Sequence, residues 1–294
     1  MSKPEVFYPA IDGDGVLYRC AFAAQKRIYN HNGQDFNGKK DLDTYLGHKA
    51  KPEEYEFRIE AEPVENALAN VKNSLQHILE ATKANDYTLY VSSNTETFRD
   101  RLARIKPYKG NRADMEKPIH YDACMKYILD VWGAEPVVGI EADDACAIHQ
   151  VNVEDSVIVS MDKDLRQIPG WHYNWVKPEE GIMYVDEDEA RYYKYIQILA
   201  GDATDNIEGL PGMGEKKAAK LLQNMYGSTE EEYDEVCLDY YINYFLDEEP
   251  NRYIDMSPKQ YLDMVLGMYA EDVYRETKQL ITIITDEKDI EVPA

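Results

Sequence analysis

Across 294 residues the chain has no Cys-x-x-Cys pair, no apolar run of 18 residues and no basic-then-apolar leader. Cys20, Cys124, Cys146 and Cys237 lie far apart among apolar neighbours, so core thiols in a reducing cytoplasm are expected, not zinc ligands or disulfides. The lack of a long apolar run excludes a membrane-spanning helix, and the lack of a leader makes a cytoplasmic protein the expectation. His31 and His48 have no second candidate ligand nearby and are read as solvated. Positive charge is also short, with 32 Lys and Arg against 56 Asp and Glu for a formal charge of -24. At face value that excludes a polyanionic partner, because nucleic acids bind where Lys and Arg neutralise phosphates.

The distribution of charge weakens that exclusion. Residues 228 to 294 hold 18 acidic and 5 basic side chains, about half of the whole excess. Residues 98 to 112, FRDRLARIKPYKGNR, instead carry Arg99, Arg101, Arg104, Lys106, Lys109 and Arg112 against Asp100 alone. A solvated basic helix face is the ordinary account of such a strip. Tyr108 beside Lys109 and Arg112 favours a surface that holds phosphates and stacks a base.

The chemistry concentrates between Gly139 and Gln167, GIEADDACAIHQVNVEDSVIVSMDKDLRQ. Glu141, Asp143 and Asp144 open a predicted helix. Val157, Ile158 and Val159 are a β-branched run between turn signals, read as a buried parallel strand with Asp162 and Asp164 just past its carboxyl end. Open α/β sheets put their sites at that edge. An acidic first helical turn is ordinary, since it suits the helix dipole, but the paired DxD favours a site. Two carboxylates about 4 Å apart repel by roughly 4 kcal/mol at an effective dielectric near 20, so a positive group belongs among them. Oxygen ligands without His or Cys select Mg²⁺ or Mn²⁺ over Zn²⁺.

Elsewhere, Val6–Ile11 is predicted as a strand ended by Asp12-Gly13-Asp14-Gly15, which alone is a turn and fits no GxGxxG or Walker pattern. Leu17–Arg27 is predicted as a helix, and residues 30 to 63 as an inserted loop region or small subdomain with no assigned chemistry. A helix follows from Val64 to Leu79, a strand over Tyr87–Val91, and a helix over Phe98–Ile105 that Pro107 ends or kinks. Tyr121–Trp132 is another helix and Val137-Val138 a strand. Short strands occupy Pro169–Val185 and a helix Arg191–Ala200. In GDATDNIEGLPGMGEKKAAKLL, residues 201 to 222, Asp202 and Asp205 lie close together before Gly209, Gly212 and Gly214. The glycine turn at a helix start is a phosphate-backbone cradle, but no P-loop, because Glu215 stands where the lysine is required.

The order of Asp12, Phe98-Arg99, YKGNR, ExDD, SxDKD, GDxxDN and GxPGxGxK resembles the 5′-nuclease superfamily, which contains flap endonucleases and the 5′-nuclease domains of bacterial DNA polymerases. Short phage-encoded 5′-to-3′ exonucleases are the most similar group, over about residues 6 to 226. The resemblance implies an α/β fold with a PIN-like central parallel sheet flanked by helices, and a C-terminal helix-three-turn-helix module. Residues 1 to 200 would form the nuclease domain, with 30 to 63 inserted and 98 to 120 a basic clamp. Residues 201 to 294 would hold the DNA-binding module and an acidic helical region.

Carried over by position, Asp12, Glu141, Asp143, Asp144, Asp162, Asp164, Asp202 and Asp205 match the family's metal carboxylates, which hold two Mg²⁺ or Mn²⁺. Lys109 and Arg112 match residues that engage the scissile phosphate, and Tyr108 an aromatic near the unpaired terminal base. Arg99, Gly212, Gly214, Lys216 and Lys217 complete the expected DNA surface, and the glycine turn matches a monovalent-cation site, often potassium. The chain departs from the family where another metal-site Asp is usual: Ser92 or Asn94 takes that place, and Asp14 is a hypothetical substitute.

In the family a helical arch around a single-stranded 5′ flap lies between Arg112 and Glu141. Those 28 intervening residues leave only Ala113–His120, with Pro118 inside it, once the predicted helix and strand are set aside. A minimal arch is expected, with 5′-to-3′ exonuclease action on duplex DNA ends by a two-metal mechanism and flap cutting secondary. The implied protein is a monomer acting on duplex DNA with 5′ ends or flaps, with RNA-DNA hybrids a further candidate substrate, in phage replication, recombination or primer removal. The alternative is a catalytically weak DNA-binding or scaffold protein that keeps the fold, motivated by the missing Asp and the acidic tail; eight retained carboxylates argue against it.

Overall fold

In a computed structural model of the protein, residues 3–112, 115–248, 259–286 and 288 are described. Residues 113–114 of the expected arch, and residues 249–258, 287 and 289–294 of the acidic C-terminal region, lie outside them.

The chain runs β1 (Tyr8–Asp12), α1 (Gly13–Ala23), β2 (Gln25–His31), β3 (Gln34–Phe36), α2 (Lys39–Leu46), β4 (Glu56–Ala61), α3 (Val64–Thr82), β5 (Thr88–Ser92), α4 (Phe98–Leu102), α5 (Tyr121–Trp132) and β6 (Glu135–Val137). It continues through α6 (Ala142–Asn152), β7 (Ser156–Val159), β8 (Gly170–Tyr173), β9 (Ile182–Val185), α7 (Glu187–Ala200), β10 (Gly201–Asp202), β11 (Ile207–Glu208), α8 (Glu215–Leu221), α9 (Glu230–Glu248) and α10 (Lys259–Ile281). Six strands form one sheet in the order β6-β5-β1-β7-β8-β9, parallel except for β9 against β8. Helices α1, α3 and α5 pack together on one face, while α6 lies against β1, β5 and β7. The fold is therefore α/β with a mostly parallel central sheet.

Burial explains why the central strand is so apolar. Val157, Ile158 and Val159 are no more than 1% exposed, and full burial of such a side chain contributes about 1.5–3 kcal/mol. Because neighbouring strands run parallel, β1, β5, β6 and β7 end on the same edge, at Asp12, Ser92, Val137 and Val159. Asp12 both ends β1 and caps α1, accepting from Gly15 N at 3.1 Å. The Asp12–Gly15 segment is thus a helix start and not the expected turn. Gly13 is required there, since a Cβ would meet the Tyr90 carbonyl at 2.5 Å.

The helix expected to reach Arg27 stops at Ala23, and Gln25–His31 is strand β2. Residues 30 to 63 belong to a small subdomain, one of the two expectations, and not to a loop region: β3, β2 and β4 form a separate antiparallel sheet, with Tyr29, Phe36, Leu42 and Ala50 as its small core. The polar sequence concealed these strands because β4 is exposed along almost its whole length. Helix α4 ends at Leu102, three residues short of its predicted end. Between Arg112 and Tyr121 no helix occurs among the described residues. All four cysteines are free and buried, and no helix among the described residues is long and apolar enough to cross a membrane.

A second core joins α4 and α7 to the helices that follow, with Phe98, Leu102, Tyr195, Leu199, Tyr233, Tyr241, Tyr274 and Leu280 among its members. Stacking of Tyr195 on Tyr233, centroids 4.7 Å apart, fixes α7 against α9. Past the last turn of α10 the chain returns to the carboxyl edge of the large sheet.

Candidate active site

One cavity of about 860 Å³ lies at that edge, and Asp12, Asp14, Glu141, Asp143, Asp162, Asp164, Asp202 and Asp205 all line it. The positions follow from the elements. Asp12 ends β1 and Asp14 sits in the first turn of α1. Glu141 is the N-cap of α6 with Asp143 in its first turn, Asp162 and Asp164 follow β7, and Asp202 closes β10. The fold thus joins residues separated by up to 193 positions in the sequence.

Crowding and burial leave these acids strained. The Asp12 carboxyl is raised to about 7 by burial and by Asp14, even though Ser160 donates to it at 2.8 Å. Burial, then Asp162 and Asp202, raise Asp164 to about 8. Asp143 is pushed well above the ordinary carboxylate range by burial, Asp12 and Asp162. Burial raises Asp14 and Asp205 as well. Glu141 behaves oppositely: burial raises it, but Lys109 and Arg99 outweigh burial and hold it low.

Lys109 pairs with Glu141, and Arg112 with Asp205. Lys109 has the left-handed backbone at φ 51°, and its N–H donates to the Asp205 carbonyl at 2.8 Å, which ties the basic loop to the Asp202–Asp205 turn. Tyr108 lies beneath it, a residue only 8% exposed, its hydroxyl shared between Glu141 Oε2 at 2.6 Å and Asp205 Oδ2 at 2.9 Å. Tyr108 is therefore a buried bridge between two carboxylates and not the open base-stacking surface expected.

Two further expectations are corrected. Arg99 is 3% exposed and Asp144 fully buried, and they form a two-point ion pair at 2.6 and 2.8 Å. Arg99 is thus no part of a DNA-binding surface. Both Asp144 oxygens are taken by the guanidinium, which removes Asp144 from the metal-facing set. At the position of the absent family Asp, Ser92 Oγ accepts from Ala142 N at 2.9 Å and Asn94 Oδ1 accepts from Lys117 at 3.2 Å. Asp14, held by Ser92 N at 3.2 Å, brings the carboxylate into the cavity instead.

The glycine turn precedes α8 as expected. Gly212 has φ 71°, and Lys217 Nζ donates to its carbonyl at 2.7 Å. Lys216 is exposed beside it. Gly214 caps α8, and Glu215 pairs with Lys163, which stands between Asp162 and Asp164. Sequence reasoning missed Gln167 and Gln197, since buried amides carry no charge or spacing signal; Gln197 Nε2 donates to Asp164 Oδ1 at 2.6 Å.

Among the described residues no three carboxylates already converge on one metal-binding point. The donor set still suits a hard divalent cation, because carboxylates and no His or Cys line the cavity and five of its acids are raised by burial and mutual repulsion.

The family model for the 5′-3′ exonuclease N-terminal resolvase-like domain matches residues 8–195. The 5′-3′ exonuclease of Buchnera aphidicola subsp. Schizaphis graminum is 27% identical over 195 residues, covering 59% of this chain and 67% of that protein. DNA polymerase I of Mycobacterium tuberculosis is 30% identical over 161 residues, covering 48% of this chain; the chain spans only 17% of the polymerase's length. Zinc-bound T5 5′-exonuclease superimposes with a TM-score of 0.55 at 13% identity, over 94% of this chain and 89% of that one, a likeness of fold. The chain belongs to the 5′-3′ exonuclease family that this N-terminal domain defines.

Proposed function

We propose that the protein is a divalent-metal-dependent 5′-to-3′ exodeoxyribonuclease with flap-endonuclease-type chemistry, acting as a monomer on duplex DNA ends. The carrying observation is a cavity lined by eight carboxylates together with Lys109 and Arg112. Asp12, Asp14, Glu141, Asp143, Asp162, Asp164, Asp202 and Asp205 would hold two Mg²⁺ or Mn²⁺. Bound there, the ions supply Lewis-acid stabilisation of the transferring phosphate and activation of the attacking water.

The chain's own groups do the rest. Lys109 and Arg112, now neutralised by Glu141 and Asp205, offer cationic donors to a phosphate that enters the cavity. Tyr108 keeps Glu141 and Asp205 at a fixed separation, and its hydroxyl stays protonated because burial and both carboxylates oppose its ionisation. Helices α7 and α8 with the 201–214 turn serve as the helix-three-turn-helix module. Gly212, Gly214, Lys216 and Lys217 then hold duplex phosphates, and K⁺ competes with the Lys217 ammonium for the turn carbonyl. Residues 1–200 supply the nuclease domain and residues 201–294 the DNA-binding part. The lack of a helical arch among the described residues favours blunt or recessed 5′ ends over flaps.

The assignment is tested by Asp162→Asn and Asp202→Asn. Both variants fold, both lose Mg²⁺-dependent cleavage, and both melt higher than the unchanged protein in EDTA because one repelling charge is gone. Near-normal cleavage by both removes the assignment.

A further inference from the structure

Two chains of largely buried hydrogen bonds lead from the last residues of α10 and the segment just past it to the carboxylates of the cavity. In the first, the Ile281 carbonyl accepts from Gln167 Nε2 at 3.0 Å, while Ile283 N donates to Gln167 Oε1 at 3.3 Å. Gln167 Nε2 also donates to Gln197 Oε1 at 2.8 Å, and Gln197 Nε2 donates to Asp164 Oδ1 at 2.6 Å. In the second, the Leu280 and Thr282 carbonyls accept from Arg99 Nε and Nη2 at 3.0 and 2.9 Å. Arg99 holds Asp144 and reaches Glu141 Oε2 at 3.4 Å, and Ile284 N donates to Asp144 Oδ1 at 3.2 Å.

The direction of the first chain is set at its C-terminal end. A glutamine amide can be turned over, exchanging donor for acceptor, but a backbone carbonyl can only accept and an N–H can only donate. Ile281 and Ile283 therefore fix Gln167 with its NH₂ toward Gln197. Gln197 must then turn its oxygen to Gln167, which leaves its NH₂ for Asp164. Gln167 and Gln197 are 7% and 3% exposed, so water does not scramble this order.

We propose that residues Leu280–Ile284 are a positioning element of the active site, orienting Asp164 through Gln167 and Gln197 and Glu141 through Arg99 and Asp144. The C-terminal segment thereby tunes metal binding although it contributes no ligand. This rests on the reading of Asp164 as a metal-holding residue.

The experiment measures Mg²⁺ binding by calorimetry without DNA, the half-saturating Mg²⁺ of single-turnover cleavage, DNA affinity in EDTA, and melting in EDTA, for Gln167→Ala, Gln197→Met and Asp164→Asn. Gln197→Met keeps the volume and removes the donor to Asp164 without adding a charge or an exchangeable proton beside it. Both glutamine variants should weaken Mg²⁺ binding and raise half-saturating Mg²⁺ by about 10- to 100-fold, the usual effect of removing a partner behind a metal ligand, with DNA affinity unchanged. Saturating Mg²⁺ should restore turnover by Gln167→Ala. If that variant does not fold, Gln197→Met alone carries the same test. Normal Mg²⁺ binding by the glutamine variants beside weakened binding by Asp164→Asn overturns the positioning role, whether or not melting falls. Normal Mg²⁺ binding by Asp164→Asn itself overturns the underlying reading of the site.

Discussion

Arg99 and Asp144 meet in the interior at 2.6 and 2.8 Å, one 3% and the other 0% exposed, and this pair holds α4 to the start of α6. Removing one partner strands a buried charge, at a cost of roughly 3–5 kcal/mol. Arg99→Met should lose stability on that scale in urea unfolding, and Arg99→Met with Asp144→Leu should recover only part of it, because the Leu280 and Thr282 carbonyls and the Glu141 and Ile284 N–H groups then lose their partners. A loss below about 1 kcal/mol, the size of a surface ion pair, would contradict the assignment of Arg99 to the interior.

The crowded acids give the metal-free protein a pH dependence of definite sign. Asp12 and Asp164 are raised from 3.8 to about 7 and about 8 in the folded chain, so folding takes up protons between those values. Their contribution is complete below the unfolded value and is lost as pH rises through about 7 and then about 8. In EDTA, melting should fall from about pH 5 to about pH 8, and Mg²⁺ should restore it at the upper end. A melting temperature in EDTA that rises over that interval would contradict the picture.

Lys109 and the glycine-turn lysines should separate kinetically. Lys109→Ala should slow single-turnover cleavage by about 10²–10³-fold, as expected for loss of one preorganised donor to the transition state, with a smaller change in DNA affinity. Lys216→Ala and Lys217→Ala should instead weaken binding and flatten its salt dependence by about 0.9 in log-log slope per lost phosphate contact. Equal effects of both groups on both measurements would defeat the division of roles.

The sequence reveals the site better than it reveals what surrounds it. Val157–Val159 stands out as a buried strand because all its residues are β-branched and apolar, and that placement carries Asp162 and Asp164 to the sheet edge. Glu141 at a helix start and Asp12 at a strand end were legible for the same reason, local pattern next to charge. Arg99 was misread because a basic strip has the same composition whether its arginines face solvent or a buried aspartate; its partners Asp144, Leu280 and Thr282 lie 45, 181 and 183 residues away. Tyr108 was misread likewise, since an aromatic beside two cations gives no sign of the carboxylates that receive its hydroxyl. The β2–β4 sheet escaped because exposed strands lack the apolar alternation that marks half-buried ones.

The central claim is that the carboxylate cavity cuts duplex DNA from 5′ ends with a divalent metal, and end-labelled blunt duplex tests it most directly. With Mg²⁺, a 5′ label should leave early in short fragments while a 3′ label stays in long ones, and EDTA should stop both. Early loss of the 3′ label, cutting confined to long 5′ flaps, or undiminished cleavage in EDTA would contradict it.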